Sequence, residues 1–171
     1  VIEEQQLSKK TQDLICEIID SRIKDYDLVM VMDFGHGLMH EKIRELVQKK
    51  APFLAINCQT NSYNHGFNMI NKQYQRADSF SLDETELTLA CGRRNIDFPE
   101  ELKKLHHELS ARYGWLTRGG ANTIGIKKGE PECECVTFEQ SVVDTVGAGD
   151  AFCSVASLAA TRDLPIELST F

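Results

Sequence analysis

Asp144-Thr145-Val146-Gly147-Ala148-Gly149-Asp150 packs two glycines, an alanine and two carboxylates into seven residues. It follows a β-type run over residues 133–138 and opens an apolar helical pattern over 151–160, so the stretch is a strand–loop–helix entry. A small-residue loop running into a helix leaves several backbone N–H groups without intrahelical partners. Those amides and the helix dipole make a pocket for anionic oxygen. Gly147 and Gly149 have no Cβ, so a phosphate can approach the backbone closely. Asp150 stands at the mouth of this pocket. A carboxylate is a poor phosphate ligand there but a good acceptor for a hydroxyl proton. Amides for phosphate charge beside a carboxylate for an alcohol are what phosphoryl transfer to an alcohol requires.

Working outward, apolar positions Leu7, Leu14, Ile15, Ile18, Ile19 and Ile23 give a helical period over 5–24. Residues 28–32 (Leu-Val-Met-Val-Met) form a short continuous apolar run, the pattern of a buried parallel strand. The alternation continues with a helix over 41–50, strands over 53–56 and 77–82, helices over 84–91 and 99–111, and a strand over 113–117. Residues 122–127 and 133–138 form a hairpin around Lys128-Gly129-Glu130-Pro131. Strands alternating with helices predict an open α/β sheet covered on both faces. In such sheets ligands bind outside the carboxyl ends of the strands. The unusual residues collect there: Asp33-Phe34-Gly35-His36-Gly37, then 57–68, then 83–86, then 117–120.

The chain of 171 residues is long enough for one domain with a sizeable core, and a single domain over 1–171 is expected. Its net charge of −7 and pI of 5.2 oppose nucleic-acid binding, which wants a basic face. No run approaches the ~20 apolar residues that span a bilayer, so no membrane partner is expected. The six cysteines include no C-x-x-C pair and read as reduced thiols of a cytoplasmic protein. Cys133 and Cys135 would share one face of their strand.

The opening heptad resembles the D-T-x-G-A-G-D signature of the ribokinase (PfkB-type) carbohydrate kinases at every fixed position. A glycine turn with a capped helix is the structural alternative. The resemblance implies a three-layer ribokinase-like α/β/α fold with a mostly parallel sheet. It also implies Asp150 as catalytic base and an anion hole from the amides of Gly147, Ala148 and Gly149. Thr145 would sit on the nucleotide side and Asp144 on the substrate side. The family usually has a small residue at Val155, a departure that would affect helix packing. The signature normally lies well inside the family's C-terminal half, whereas this chain ends soon after Asp150 and begins at Val1 in a polar helical run. The expectation is therefore an internal piece of a longer kinase, with a sheet incomplete at both ends and no activity on its own.

The secondary motifs extend the resemblance. Asp33-Phe34-Gly35 is not the protein-kinase D-F-G, since no H-R-D loop or suitable Gly-rich loop accompanies it. It is similar to the D-Y-x-K-G loop of the heptose-7-phosphate kinases, the kinase half of bifunctional ADP-heptose synthases. That would place Asp33, Gly35 and His36 against substrate, with His36 where that branch has Lys. A glycine turn beside a part-exposed histidine is the alternative. Asp83-Glu84-Thr85-Glu86 is similar to the family's N-x-x-E, implying a role for Glu86 and Asp83 near Mg²⁺ and the nucleotide phosphates. An acidic helix N-terminus explains the same residues without metal. Thr117-Arg118-Gly119-Gly120 is similar to the family's T-x-G strand end, which would put Thr117 and Gly119 against nucleotide. The polar loop over 58–68 reads equally as a binding loop or plain surface. Asn57 stands where relatives often begin a D-P-x turn.

The resemblance implies ATP and Mg²⁺ as cofactors, a sugar or sugar phosphate as acceptor and the cytoplasm as location. A homo-oligomer and a fused nucleotidyltransferase domain are further expected partners. Two other readings stay open: a kinase of another small alcohol such as a nucleoside or vitamin, and a nucleotide-binding module that does no chemistry.

Overall fold

The computed structural model describes residues 7–60, 66–138 and 146–171. Among them one sheet has six strands: β1 Val29–Asp33, β2 Leu54–Cys58, β3 Ser79–Asp83, β4 Tyr113–Thr117, β5 Asn122–Lys127 and β6 Cys133–Val136. Spatial order follows sequence order. β1 to β4 are parallel, and β5 and β6 return antiparallel as the expected hairpin. The helices are α1 Lys9–Arg22, α2 Glu41–Lys50, α3 Ile70–Gln73, α4 Glu84–Cys91, α5 Phe98–Glu108, α6 Ala148–Thr161 and α7 Ile166–Thr170.

Strand periodicity sorts the core into two layers. Leu54, Ile56, Phe80, Leu82 and Leu116 turn to one face, where Ile43 and Val47 of α2, Leu87 of α4 and Leu102 and Leu105 of α5 meet them. Ile15 and Ile19 of α1 pack against the same cluster. Tyr113 and Trp115 turn to the opposite face, against Phe152, Ala156 and Ala160 of α6 and Ile166 of α7. Trp115 is fully buried, stacked on Tyr113 and edge-on to Phe152. The result is three layers, helix–sheet–helix, with a mostly parallel centre. α7 can lie close because Gly125 carries no side chain: a Cβ there would meet Thr170 Oγ1 at 2.0 Å. Val155, expected to affect helix packing, points to solvent at 69% exposure.

Three boundary shifts bear on function. β1 runs on to Asp33, and β2 runs on through Asn57 and Cys58, because parallel pairing continues from Met32↔Asn57 to Asp33↔Cys58. α6 begins at Ala148, so Gly149 and Asp150 belong to its first turn rather than to the loop before it. The helix expected over 5–24 starts at Lys9, capped by the Ser8 side chain, and ends in a 3₁₀ turn over Ile23–Asp25. α3 and α7 are additions: at four or five residues neither is long enough to show a period in sequence. No helix among the described residues is long and apolar enough to cross a membrane.

Candidate active site

The carboxyl ends of the parallel strands and the N-terminus of α6 enclose a cleft of about 310 Å³. Phe34 follows β1, Asn57 and Gln59 lie at the end of β2, Ser81, Leu82 and Asp83 end β3, and Thr117 ends β4. Gly147, Gly149 and Asp150 close it from α6, with Thr60 and Glu86 on the flank. The cleft lies outside the carboxyl ends of the strands, where ligands bind in open α/β sheets.

Gly147 is the N-cap of α6 and adopts φ +79°, a left-handed conformation that glycine reaches without strain. The first intrahelical bond runs from Ala151 N–H to the Gly147 carbonyl at 3.0 Å. The amides of Ala148, Gly149 and Asp150 precede it and have no intrahelical acceptor. Among the described residues nothing lies within 4 Å of where a Cβ on Gly149 would stand. Asp150 is at the third helical position, where the helix dipole favours a carboxylate. Ala148 is exposed and its residue does not line the cleft.

Asp83 and Glu86 are tied together by reciprocal caps. Glu86 N–H donates to Asp83 Oδ1 at 2.8 Å, and Asp83 N–H donates to Glu86 Oε2 at 2.9 Å. The second Glu86 oxygen accepts from Thr60 N–H at 3.3 Å. Burial pushes the Glu86 carboxyl up to about 7, helped by the charges of Asp83 and Asp150 and opposed by the two backbone amides. The segment is an acidic helix cap, and the cap lines the cleft. Among the described residues no group of three or more His, Cys, Asp or Glu converges as a ready-made metal cage. Mg²⁺ does not need one, since it prefers one or two carboxylates with retained waters and phosphate oxygens. Asp83 and Glu86 fit that demand.

The remaining expected residues divide. Thr117 lines the cleft, its hydroxyl donating to the Leu82 carbonyl at 3.3 Å. Gly119 lies in the β4–β5 turn at φ +55° and does not line it. The neighbouring Arg118 is turned away onto Glu84 at 2.7 Å and over the Phe98 ring. Asp33 is buried at 3% exposure and lies outside the cleft lining. Tyr74 OH donates to its Oδ2 at 2.7 Å and Gly35 N–H to its Oδ1 at 3.0 Å. With Gly35 beside it and His36 exposed, stacked on Phe34, this loop borders an adjoining apolar groove of about 520 Å³ that Asp33, Phe34 and His36 help line. Phe34 is shared by both cavities. Asp144 and Thr145 lie outside the described residues, as does the stretch 61–65 of the polar loop.

Two cleft residues were given no individual role from sequence, where Asn57 stood at the place of a D-P-x turn and Gln59 in the polar loop over 58–68. Asn57 is 4% exposed, donates from Nδ2 to the Ser81 carbonyl at 3.0 Å, and has a buried Oδ1 with no acceptor partnership. Gln59 donates from its side-chain amide to Asp150 Oδ1. The one sequence signal for both was the polar run after a buried strand, at the edge where ligands bind.

The layered sheet is ribokinase-like, and solved structures bear out this fold. The chain is similar to phosphofructokinase-2 from Escherichia coli in complex with potassium, with a TM-score of 0.76 and 14% identity over 96% of this chain and 53% of that one. It is similar to Arabidopsis thaliana ribokinase complexed with ribose and ATP, with a TM-score of 0.63 and 17% identity over 96% of this chain and 50% of that one. The chain belongs to the pfkB family of carbohydrate kinases, whose model matches residues 19–170. It is 25% identical over 152 residues to the bifunctional protein HldE of Campylobacter jejuni strain RM1221, covering 87% of this chain and 32% of that protein. The chain thus spans about a third of the curated relatives it matches and about half of its structural neighbours.

Proposed function

We propose that this chain is the part of an ATP-dependent kinase that carries the base and the anion-binding helix end, transferring the γ-phosphoryl group to a hydroxyl of a sugar or sugar phosphate. One observation carries the reading: Asp150 stands in the first turn of α6, beside amides with no intrahelical acceptor and lining the same cleft as Glu86. Asp150 takes the proton of the attacking hydroxyl. The amides of Gly147, Ala148 and Gly149 hold the transferring phosphoryl oxygens, and because they are fixed by the helix they need no reorganisation as charge shifts. Thr117, Gly119 and Thr145 are assigned to the nucleotide, and Asp144 to the acceptor. Asp83 and Glu86 hold Mg²⁺, which when bound neutralises phosphate charge. Asp33, Gly35 and His36 shape the acceptor side from the β1 loop.

The similarity to the bifunctional protein HldE supports a heptose-phosphate-like acceptor and, in the full-length protein, a second nucleotidyltransferase domain. A cytoplasmic location follows from the ATP donor. His36, standing where the heptose-phosphate kinases have Lys, favours the second reading of a different small alcohol as acceptor. The isolated 171-residue chain is proposed to lack turnover, since transfer depends on positioning both substrates.

The test is ADP release by the full-length protein across a panel of sugars, sugar phosphates, nucleosides and vitamin alcohols. Release with a sugar or sugar phosphate, lost in Asp150→Asn, is the expected result. Release only with a nucleoside or vitamin alcohol selects the second reading. Release unaffected by Asp150→Asn would overturn the catalytic assignment.

A further inference from the structure

The chain leaving β2 sets two successive residues onto two of the three acids that line the cleft. Gln59 Nε2 donates to Asp150 Oδ1, and the amide of Thr60 donates to Glu86 Oε1. Gln59 is itself anchored through its backbone. Its N–H donates to the Asp33 carbonyl at 2.8 Å, and its carbonyl accepts from Asn68 Nδ2 at 3.1 Å. Asn68 is 5% exposed and donates also to the Asp33 carbonyl at 2.9 Å and to its carboxylate at 3.4 Å. Tyr74 OH, Gly35 N–H and, at 3.9 Å, Arg44 complete the surroundings of that carboxylate.

A buried carboxylate persists only when donors surround it. Here none of the four residues that do so lines the cleft. What the set does fix is the backbone of Gln59, from both sides. A carboxylate turns easily about its last torsion, which is broad and roughly two-fold. An amide seated on Oδ1 therefore decides where Oδ2 points. A neutral donor does this without setting a full positive charge against the base.

We propose that Gln59 is the positioning residue of Asp150: anchored by the Asp33–Asn68–Tyr74 set, its amide holds Oδ1 and leaves Oδ2 to receive the proton of the acceptor hydroxyl. This rests on the reading of Asp150 as base. The proton moves from the hydroxyl oxygen to Oδ2 as that oxygen bonds to phosphorus and ADP leaves. Gln59 exchanges no proton. The buried Asp33, drawn from sequence as a substrate contact, then acts at one remove by fixing the segment that orients the base.

In the full-length protein, Gln59→Met keeps side-chain length and loses the donor. It is expected to lower kcat about 10–100-fold, the scale on which small misplacements act. KM for ATP stays within about twofold and the melting temperature is unchanged. Gln59→Glu, which sets a carboxylate against Asp150, lowers kcat further. A purely structural side chain would move stability and both KM values instead. If Gln59→Met keeps kcat within about threefold of wild type while Asp150→Asn abolishes turnover, the positioning role falls and the base reading stands. If Asp150→Asn turns over normally, both fall. A readout independent of turnover is the side-chain NH₂ resonance of Gln59, assigned by its loss in Gln59→Met. It is expected to shift when Asp150→Ala removes its acceptor; a resonance indifferent to that change overturns the proposal.

Discussion

At the residue scale, two carboxylates in one cleft are set apart by their surroundings. Asp150 is presented by a helix N-terminus and an amide, whereas Glu86 is half-buried among other acids. Asp150→Asn keeps the shape and loses the carboxylate proposed as base, so turnover of the full-length protein is expected to fall ~10²–10⁴-fold with ATP binding retained. Isothermal titration with ATP beside the ADP assay checks both halves. Glu86 carries a pH signature. Its folded value near 7 lies above the ordinary 4.5, so the folded state prefers the neutral form. Below pH 4.5 the neutral group costs nothing. Above pH 4.5 the unfolded chain has released a proton that the folded chain keeps until about pH 7, so stability is lost as pH rises to that folded value. Glu86→Gln stays neutral throughout. Its stability relative to wild type is expected to improve by about 1–3 kcal/mol between pH 5 and pH 8 without Mg²⁺, after discounting for partial exposure. Urea unfolding at the two pH values decides it; a pH-independent difference would place the Glu86 shift elsewhere. The lost hydrogen bond to one backbone amide is common to both pH values and drops out. Metal binding needs the ionised form, so the same variant raises the Mg²⁺ concentration for half-maximal turnover.

At the scale of elements, caps decide where the helices begin. Asp97 accepts from Glu100 N–H at 3.0 Å to start α5, remote from the cleft. Asp97→Ala is expected to cost about 1 kcal/mol in chemical denaturation and to leave kcat alone. Asp83 caps α4 in the same way but faces the cleft, so Asp83→Ala adds a raised Mg²⁺ requirement to a similar loss of stability. A change in Mg²⁺ dependence for Asp97→Ala as well would show that loss of a cap alone disturbs the site. These caps were not read from sequence, and α5 runs over Phe98–Glu108 rather than the expected 99–111; α2, α4, β4 and β5 do begin and end where the pattern placed them. What pattern did not give was the length of strands whose ends are polar. Asn57 has no strand propensity, yet it is in β2 because its partner Met32 is in β1.

At the scale of the whole molecule, α6 must be docked for Asp150 to reach the cleft, and the sheet face beneath α6 and α7 is built to receive them. Gly125→Ala would push a methyl group to 2.0 Å from Thr170 Oγ1 and 3.0 Å from Ile166. The expected cost is about 1–3 kcal/mol. In a Thr170→Ala background the cost is smaller, because part of the clash is gone. Melting temperatures of the four proteins of this cycle measure the coupling, and strict additivity would mean that α7 does not press on β5 there. Trp115, edge-on to Phe152 of α6, should emit as a buried indole until α6 detaches. By itself the sequence determined the order of the six strands and the longer helices, the layered α/β class and the small-residue helix entry with Asp150, because hydrophobic period and glycines act over a few residues. Only the tertiary structure decided that Asp33 is buried, that Asn57 and Gln59 belong to the cleft, and that Glu86 titrates near 7. Burial and donor–acceptor pairing join residues 35 or 91 positions apart, as Asn68 joins Asp33 and Gln59 joins Asp150, and no local pattern encodes such distances.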